Sequence, residues 1–202
     1  IHLGAFLARD GSDGAAVGID ADAPHAVVVF GKRGTGKSYT LGVFAEGLAD
    51  ASGVVPIVAD PMGVFGGLTA AGGQVVDPVV RPDAIPAAAW PGLLGLDPAG
   101  GPGSLLWRIV ADAVNDDARP CEALSPSISA LRRAASAADA PASTRRAVRN
   151  HLGLAESWGI FDAHAPSTTA FVRAGIPTVL GLSGLAEAAA AAVVRAVARE
   201  LY

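Results

Sequence analysis

The stretch Gly31-Lys32-Arg33-Gly34-Thr35-Gly36-Lys37-Ser38 limits what this chain can fold into more than any other feature. Its glycines let the backbone curl until successive N–H groups point inward at one spot. Such a loop works where a strand leads in and a helix leads out, and the sequence offers both. His25–Phe30 reads His-Ala-Val-Val-Val-Phe, a β-branched apolar run that predicts a strand buried on both faces of a parallel sheet. From Lys37 to about Asp50, Leu41, Phe44, Ala45 and Leu48 recur at helical spacing, and Gly53 follows as a helix stop. A second apolar strand over Val54–Ala59 ends at Asp60-Pro61-Met62-Gly63. Strand, loop, helix and strand make the βαβ unit of an open α/β sheet.

The rest of the chain is arranged around that unit. Residues 1–24 read as short strands about a turn at Asp10–Gly14, a β segment leading into the core at 25–71. Residues 72–175 form an insertion, irregular and rich in Pro and Gly up to about 103. Helices are predicted beyond that point, from a Ser104 cap to about Asn115, over Ser125–Ala138 and over Ala142–Trp158. Residues 176–202 return to the same α/β domain with a strand at Pro177–Leu182 and a helix over Leu185–Tyr202. Hydrophobic residues make up 51% of the chain and charged ones 17%, which is ample for a packed core and unlike a disordered chain. No run of 18 uncharged apolar residues exists, so no membrane span is expected, and the lone Cys121 fits a reducing, cytoplasmic setting. The chain opens at Ile1 and stops at Tyr202 inside a predicted helix, which suggests a segment of a longer protein.

The loop dictates a chemistry. Inward N–H groups and the positive end of a helix dipole favour the phosphates of a nucleoside triphosphate, expected to be ATP with Mg²⁺. Lys37 is placed to reach the β- and γ-phosphates, and the Ser38 hydroxyl to ligate Mg²⁺. Gly31, Lys32, Arg33, Gly34, Thr35 and Gly36 supply the cradle, with Tyr39 next to it. Chance gives roughly 0.003 matches of this motif in a chain of this composition. Both of the chain's lysines fall inside the loop while twelve of its thirteen arginines lie elsewhere, which suits a compact ammonium in a phosphate pocket. Hydrolysis asks for more, namely an acid at a strand end near the metal and a carboxylate to orient water. Asp60 is the one strand-end acid that stands out, as a second metal ligand and weak catalytic candidate; the alternative is that it opens a turn with Pro61 and Gly63.

Beyond the loop, several segments match a family. The strand opening with His25, the helix bearing Leu41, Phe44 and Glu46, the Asp60-Pro61-Met62-Gly63 segment and Val179-Leu180-Gly181-Leu182-Ser183-Gly184-Leu185 together resemble the HerA/FtsK-type motor ATPases. The likeness is to the central domain of archaeal HerA-like proteins and spans nearly the whole chain. It implies a P-loop NTPase fold of the RecA/FtsK kind, a partly parallel sheet flanked by helices. It further implies an ATPase acting as a DNA translocase, helicase or macromolecule-transfer motor, built as a homo-oligomeric, hexameric ring. Two departures stand out: Val64 where the family usually has Glu, and Gly181 where it often has Asp. The resemblance also implies that the acidic Walker B strand and the trans arginine lie beyond Tyr202, so that this stretch binds ATP without hydrolysing it. In such motors another strand lies between the P-loop strand and the Walker B strand, with the Asp60 strand further out, so Val54–Ala59 is not expected to pair with His25–Phe30.

Other readings stay open. An ABC-type ATPase is suggested by Leu182-Ser183-Gly184, and a small-molecule kinase would use Asp60 as its metal-site acid. A nucleotide-binding module without turnover is a third. A GTPase fits poorly, since its base-reading lysine has no candidate outside the loop. Arg132, Arg133, Arg145, Arg146 and Arg149 read as a solvated helix face, with a DNA-facing patch as the alternative. Trp90, Trp107 and Trp158 read as core anchors. His151 and His164 have no partners at metal-ligand spacing. A net charge of −4 argues against coating nucleic acid by bulk charge.

Overall fold

The computed structural model of the chain describes residues 1–21, 23, 25–115 and 125–202; Cys121 lies outside them. They form two compact units, residues 1–77 with 172–183, and residues 78–171 with 184–202. The architecture is mixed α/β of the P-loop NTPase type, with a three-stranded parallel sheet and helices.

In the first unit, β1 (His2–Leu7) and β2 (Asp13–Gly18) form an antiparallel hairpin. Its turn is closed by Asp10, whose Oδ1 accepts from the Ser12 N–H at 3.0 Å and the Ser12 hydroxyl at 2.6 Å. Helix α1 (Lys37–Ala49) follows the glycine loop. The sheet has β5 (Thr178–Gly181) in the middle, with β3 (Ile57–Asp60) and β4 (Gln74–Val76) on either side, both parallel to it. Thr178, Val179 and Leu180 are all buried, as a central parallel strand with β-branched residues should be. Ala45 of α1 packs on Val179 and Leu68, with Val58 and Phe65 against them, so this helix covers one face of the sheet.

The pairing expectation holds: β3 is bonded to β5 and not to His25–Phe30. The expectation that His25–Phe30 is a buried strand does not. Among the described residues nothing pairs with it, and Val28 is 79% and Phe30 88% exposed. A strand exists only through a neighbour's hydrogen bonds, and no described strand lies beside this one. Sequence analysis also missed β4 inside the Pro- and Gly-rich stretch. Gly73 makes it possible: the Leu68 and Pro177 carbonyl oxygens stand 2.8 and 2.9 Å from where a Cβ would be, so only glycine lets the chain enter beside β5.

The second unit is helical. It contains α2 (Trp90–Leu93), α3 (Gly101–Val114), α4 (Ile128–Ala137), α5 (Ala142–Ser157) and α6 (Glu187–Leu201). Helix α3 starts a turn earlier than the Ser104 cap predicts, because Pro102 is suited to a first turn and Gly100 takes the cap position. At α4 the Ser127 hydroxyl accepts from the Ala130 N–H at 3.1 Å. Trp90 is fully buried and stacks on Phe161 at 5.2 Å, with Trp158 at 6.3 Å from the same ring. Trp107 departs from the anchor reading, being 48% exposed. Of the five arginines, Arg132 pairs with Glu156, Arg145 donates to the Ala138 carbonyl at 3.3 Å, and Arg133, Arg146 and Arg149 face solvent. Glu200 of α6 accepts from the Thr168 N–H at 2.6 Å and from Arg81 at 3.0 Å. Burial alone would raise its carboxyl; the Thr168 backbone and hydroxyl, Arg81 and Ser167 together outweigh that and hold it below the ordinary value. No described helix is long and apolar enough to cross a membrane.

Candidate nucleotide site

The glycine loop folds on itself around one carbonyl. Gly34 and Gly36 take φ of 82° and 87°, left-handed conformations that a side chain would strain. The turns they permit bring three donors to the Lys32 oxygen: the Thr35 N–H at 3.3 Å, the Thr35 hydroxyl at 2.8 Å and the Lys37 ammonium at 2.7 Å. Gly31 is locked against the same threonine, whose Oγ1 lies 2.7 Å from where a Gly31 Cβ would stand. Lys37 opens α1, and the Thr40 N–H bonds back to the Gly36 carbonyl at 2.9 Å.

This arrangement suits an anion. The free N–H groups of the first helical turn carry partial positive charge, and the loop has no acidic residue. The Lys37 ammonium is held over the loop by the Lys32 backbone carbonyl. Ser38 and Tyr39 are exposed beside it, as is Arg33.

Asp60 sits elsewhere in the same unit and is only 2% exposed. Its Oδ1 accepts from the N–H groups of Met62 at 3.2 Å and Val64 at 3.1 Å, and its Oδ2 from Phe65 at 2.8 Å. One carboxylate therefore organises the whole turn after β3. Among the described residues no three His, Cys, Asp or Glu side chains gather as a metal-binding group.

The turn that Asp60 holds forms one wall of a groove that sequence reasoning missed. Ser38, Gly42, Val43 and Glu46 of α1 face Val64 and Phe65 across about 260 Å³. The one available signal was Gly42, a glycine in a helix interior, where it costs about 1 kcal/mol relative to alanine. On the other side of α1 an apolar recess of about 290 Å³ is lined by Ile1, Ile19, Val27, Leu41, Phe44 and Leu48.

The family described as helicase HerA, central domain, matches residues 1–201. The chain belongs to that family. No curated protein and no solved structure matches it. Membership makes this a motor-type ATPase domain, of a family that generally uses ATP and Mg²⁺.

Proposed function

We propose that this chain is the ATP-holding part of a HerA-type motor, with the triphosphate on Gly31–Ser38. The observation that carries the reading is the loop itself, with two left-handed glycines, a helix N-terminus and the Lys37 ammonium converging on one place. Backbone N–H groups of Gly34, Gly36 and Lys37 would bind phosphate oxygens, and Ser38 would hold the metal. Mg²⁺ held there by Ser38 would neutralise charge on the phosphates.

Asp60 belongs in this reading to the turn rather than to the metal. Three N–H groups already take up its oxygens, and the strand it ends is bonded to β5. With Asp60 so engaged, no carboxylate in the first unit is assigned to orient a water. The chain alone is expected to bind ATP·Mg²⁺ without turning it over. DNA translocation and assembly into a ring, a hexamer by the family likeness, are what the motor reading adds.

Calorimetry of ATP·Mg²⁺ binding tests the reading. Lys37→Ala should abolish measurable binding, and Lys32→Ala should weaken it much less, because Lys32 contributes its carbonyl and not its ammonium to the observed loop. Equal losses would refute the assigned roles. A phosphate-release assay beside the Lys37→Ala control should show no turnover; robust hydrolysis would return Asp60 to the catalytic candidates.

A further inference from the structure

We infer that the helical unit carries a ligand site of its own, a cavity beside Trp107 that takes one purine nucleoside monophosphate, with guanine favoured as the base. All of its lining residues belong to the second unit, and the inference does not depend on the phosphate reading of the glycine loop. Three observations carry it.

The first is an exposed aromatic wall on a cavity of suitable size. Trp107 of α3 is 48% exposed while Trp90 is fully buried, so packing of the core does not account for it. It lines a space of about 420 Å³ between α3 and the start of α5, where pockets for small organic ligands run from about 300 to 1,000 Å³. An indole face stacks on a flat heteroaromatic ring, since every nucleobase offers a π-face.

The second is a pair of opposite charges left without partners. Arg108 and Asp139 line the same cavity and are exposed. Among the described residues neither makes an ion pair or a hydrogen bond. Asp112 stands four residues on from Arg108 in α3, at pairing distance along a helix, and does not take it either. A guanidinium grips a phosphate through two parallel N–H bonds. A carboxylate only accepts, so it selects a ring edge that only donates. Guanine presents N1–H and its 2-amino group side by side on such an edge. Adenine sets an acceptor nitrogen beside its one amine, which opposes the carboxylate. With one cation and one anion the cavity is neutral, which suits a single nucleotide and disfavours a run of phosphates.

The third is that these groups are held in place. Asp139 stands in the short connection 138–141 between α4 and α5, which ends at Pro141. The Ala138 carbonyl of that connection accepts from Arg145 at 3.3 Å. Gly101, at the start of α3, leaves the Thr144 hydroxyl uncovered, since a Cβ there would stand 3.7 Å from its Oγ1. Thr144 lines the cavity and has no hydrogen-bond partner among the described residues, so its hydroxyl is free for a phosphate or ribose oxygen.

Calorimetric titration of the 202-residue chain with GMP, AMP and guanosine tests the assignment, and circular dichroism checks that each variant stays folded. GMP should bind about tenfold or more tightly than AMP, and Asp139→Asn should remove that preference. Trp107→Ala should weaken GMP about tenfold, with Trp107→Phe keeping most of the affinity. Arg108→Gln should weaken GMP about tenfold while leaving guanosine within about twofold. Excess inorganic tripolyphosphate, which competes for the glycine loop, should not displace GMP. The inference is overturned if GMP does not bind, if tripolyphosphate displaces it, or if the Trp107→Ala and Asp139→Asn variants bind it as the parent does. A guanine-containing single strand that bound far more tightly than GMP would assign the cavity to nucleic acid and overturn it as well.

Discussion

Replacing Asp60 by alanine separates the two roles a strand-end acid can have. In the structure its carboxylate receives three backbone N–H groups and is almost completely buried. A hydrogen bond to a charged group contributes about 1.5–3 kcal/mol. The three do not add, because Met62 and Val64 are exposed and water can take over their N–H groups in the variant. Phe65 is half-buried, so its bond counts nearly in full, and the other two about 0.5 kcal/mol each. Asp60→Ala should therefore destabilise the first unit by about 2–4 kcal/mol. Asp60→Asn should cost nearly as much, since its oxygen keeps the two weaker Met62 and Val64 bonds while its amide opposes the Phe65 N–H, which carries most of the total. Fluorescence would miss the change, because all three tryptophans lie in the second unit. Hydrogen exchange over residues 57–60 reads it directly. The reasoning is refuted if exchange there moves by less than about 0.5 kcal/mol while nucleotide binding loses its Mg²⁺ dependence, for Asp60 would then be a metal ligand.

Other expectations follow from the same contacts. Thr35→Val removes one donor from the Lys32 carbonyl and should weaken ATP binding about three- to tenfold, with Thr35→Ser restoring it, as measured by calorimetry. The depressed Glu200 carboxyl gives stability that is complete above the ordinary glutamate range and is lost as pH falls through its lowered value. Tryptophan-monitored unfolding of the second unit from pH 6 down to pH 3 should show that loss, and Glu200→Gln should flatten it. Ser127→Ala removes the α4 cap and should cost the same unit about 1 kcal/mol in urea unfolding.

Much of the first unit was legible because local rules decide it. The hairpin, the loop, α1, β3 and β5 follow from glycine placement, periodicity and β-branched runs, each within a few residues of the expected bounds. Longer-range pairing was not legible. Gln74–Val76 is three residues between Gly-Gly and Asp-Pro, and only the register opposite Thr178–Leu180 makes it a strand. His25–Phe30 has the composition of a buried strand, yet composition carries no information about which strand lies beside it. The role of Asp60 was half legible: Asp-Pro-x-Gly announced a turn, but not that one side chain would bind three of its N–H groups. The groove joins residues 38–46 to 64–68, and nothing in either segment by itself points to the other.

The exposure of His25–Phe30 bears on how the chain behaves in a tube. Ala26-Val27-Val28-Val29-Phe30 has no charge and no proline, and most of its side-chain surface is open to water. Such a segment is a template for intermolecular cross-β stacking even when the rest of the molecule is fully folded. Colloidal loss at high concentration would then precede thermal unfolding, and it would be worsened by salts that strengthen apolar association. A single gatekeeper charge, Val28→Lys, placed where the side chain already faces solvent, should raise the concentration at which precipitation begins without touching the glycine loop.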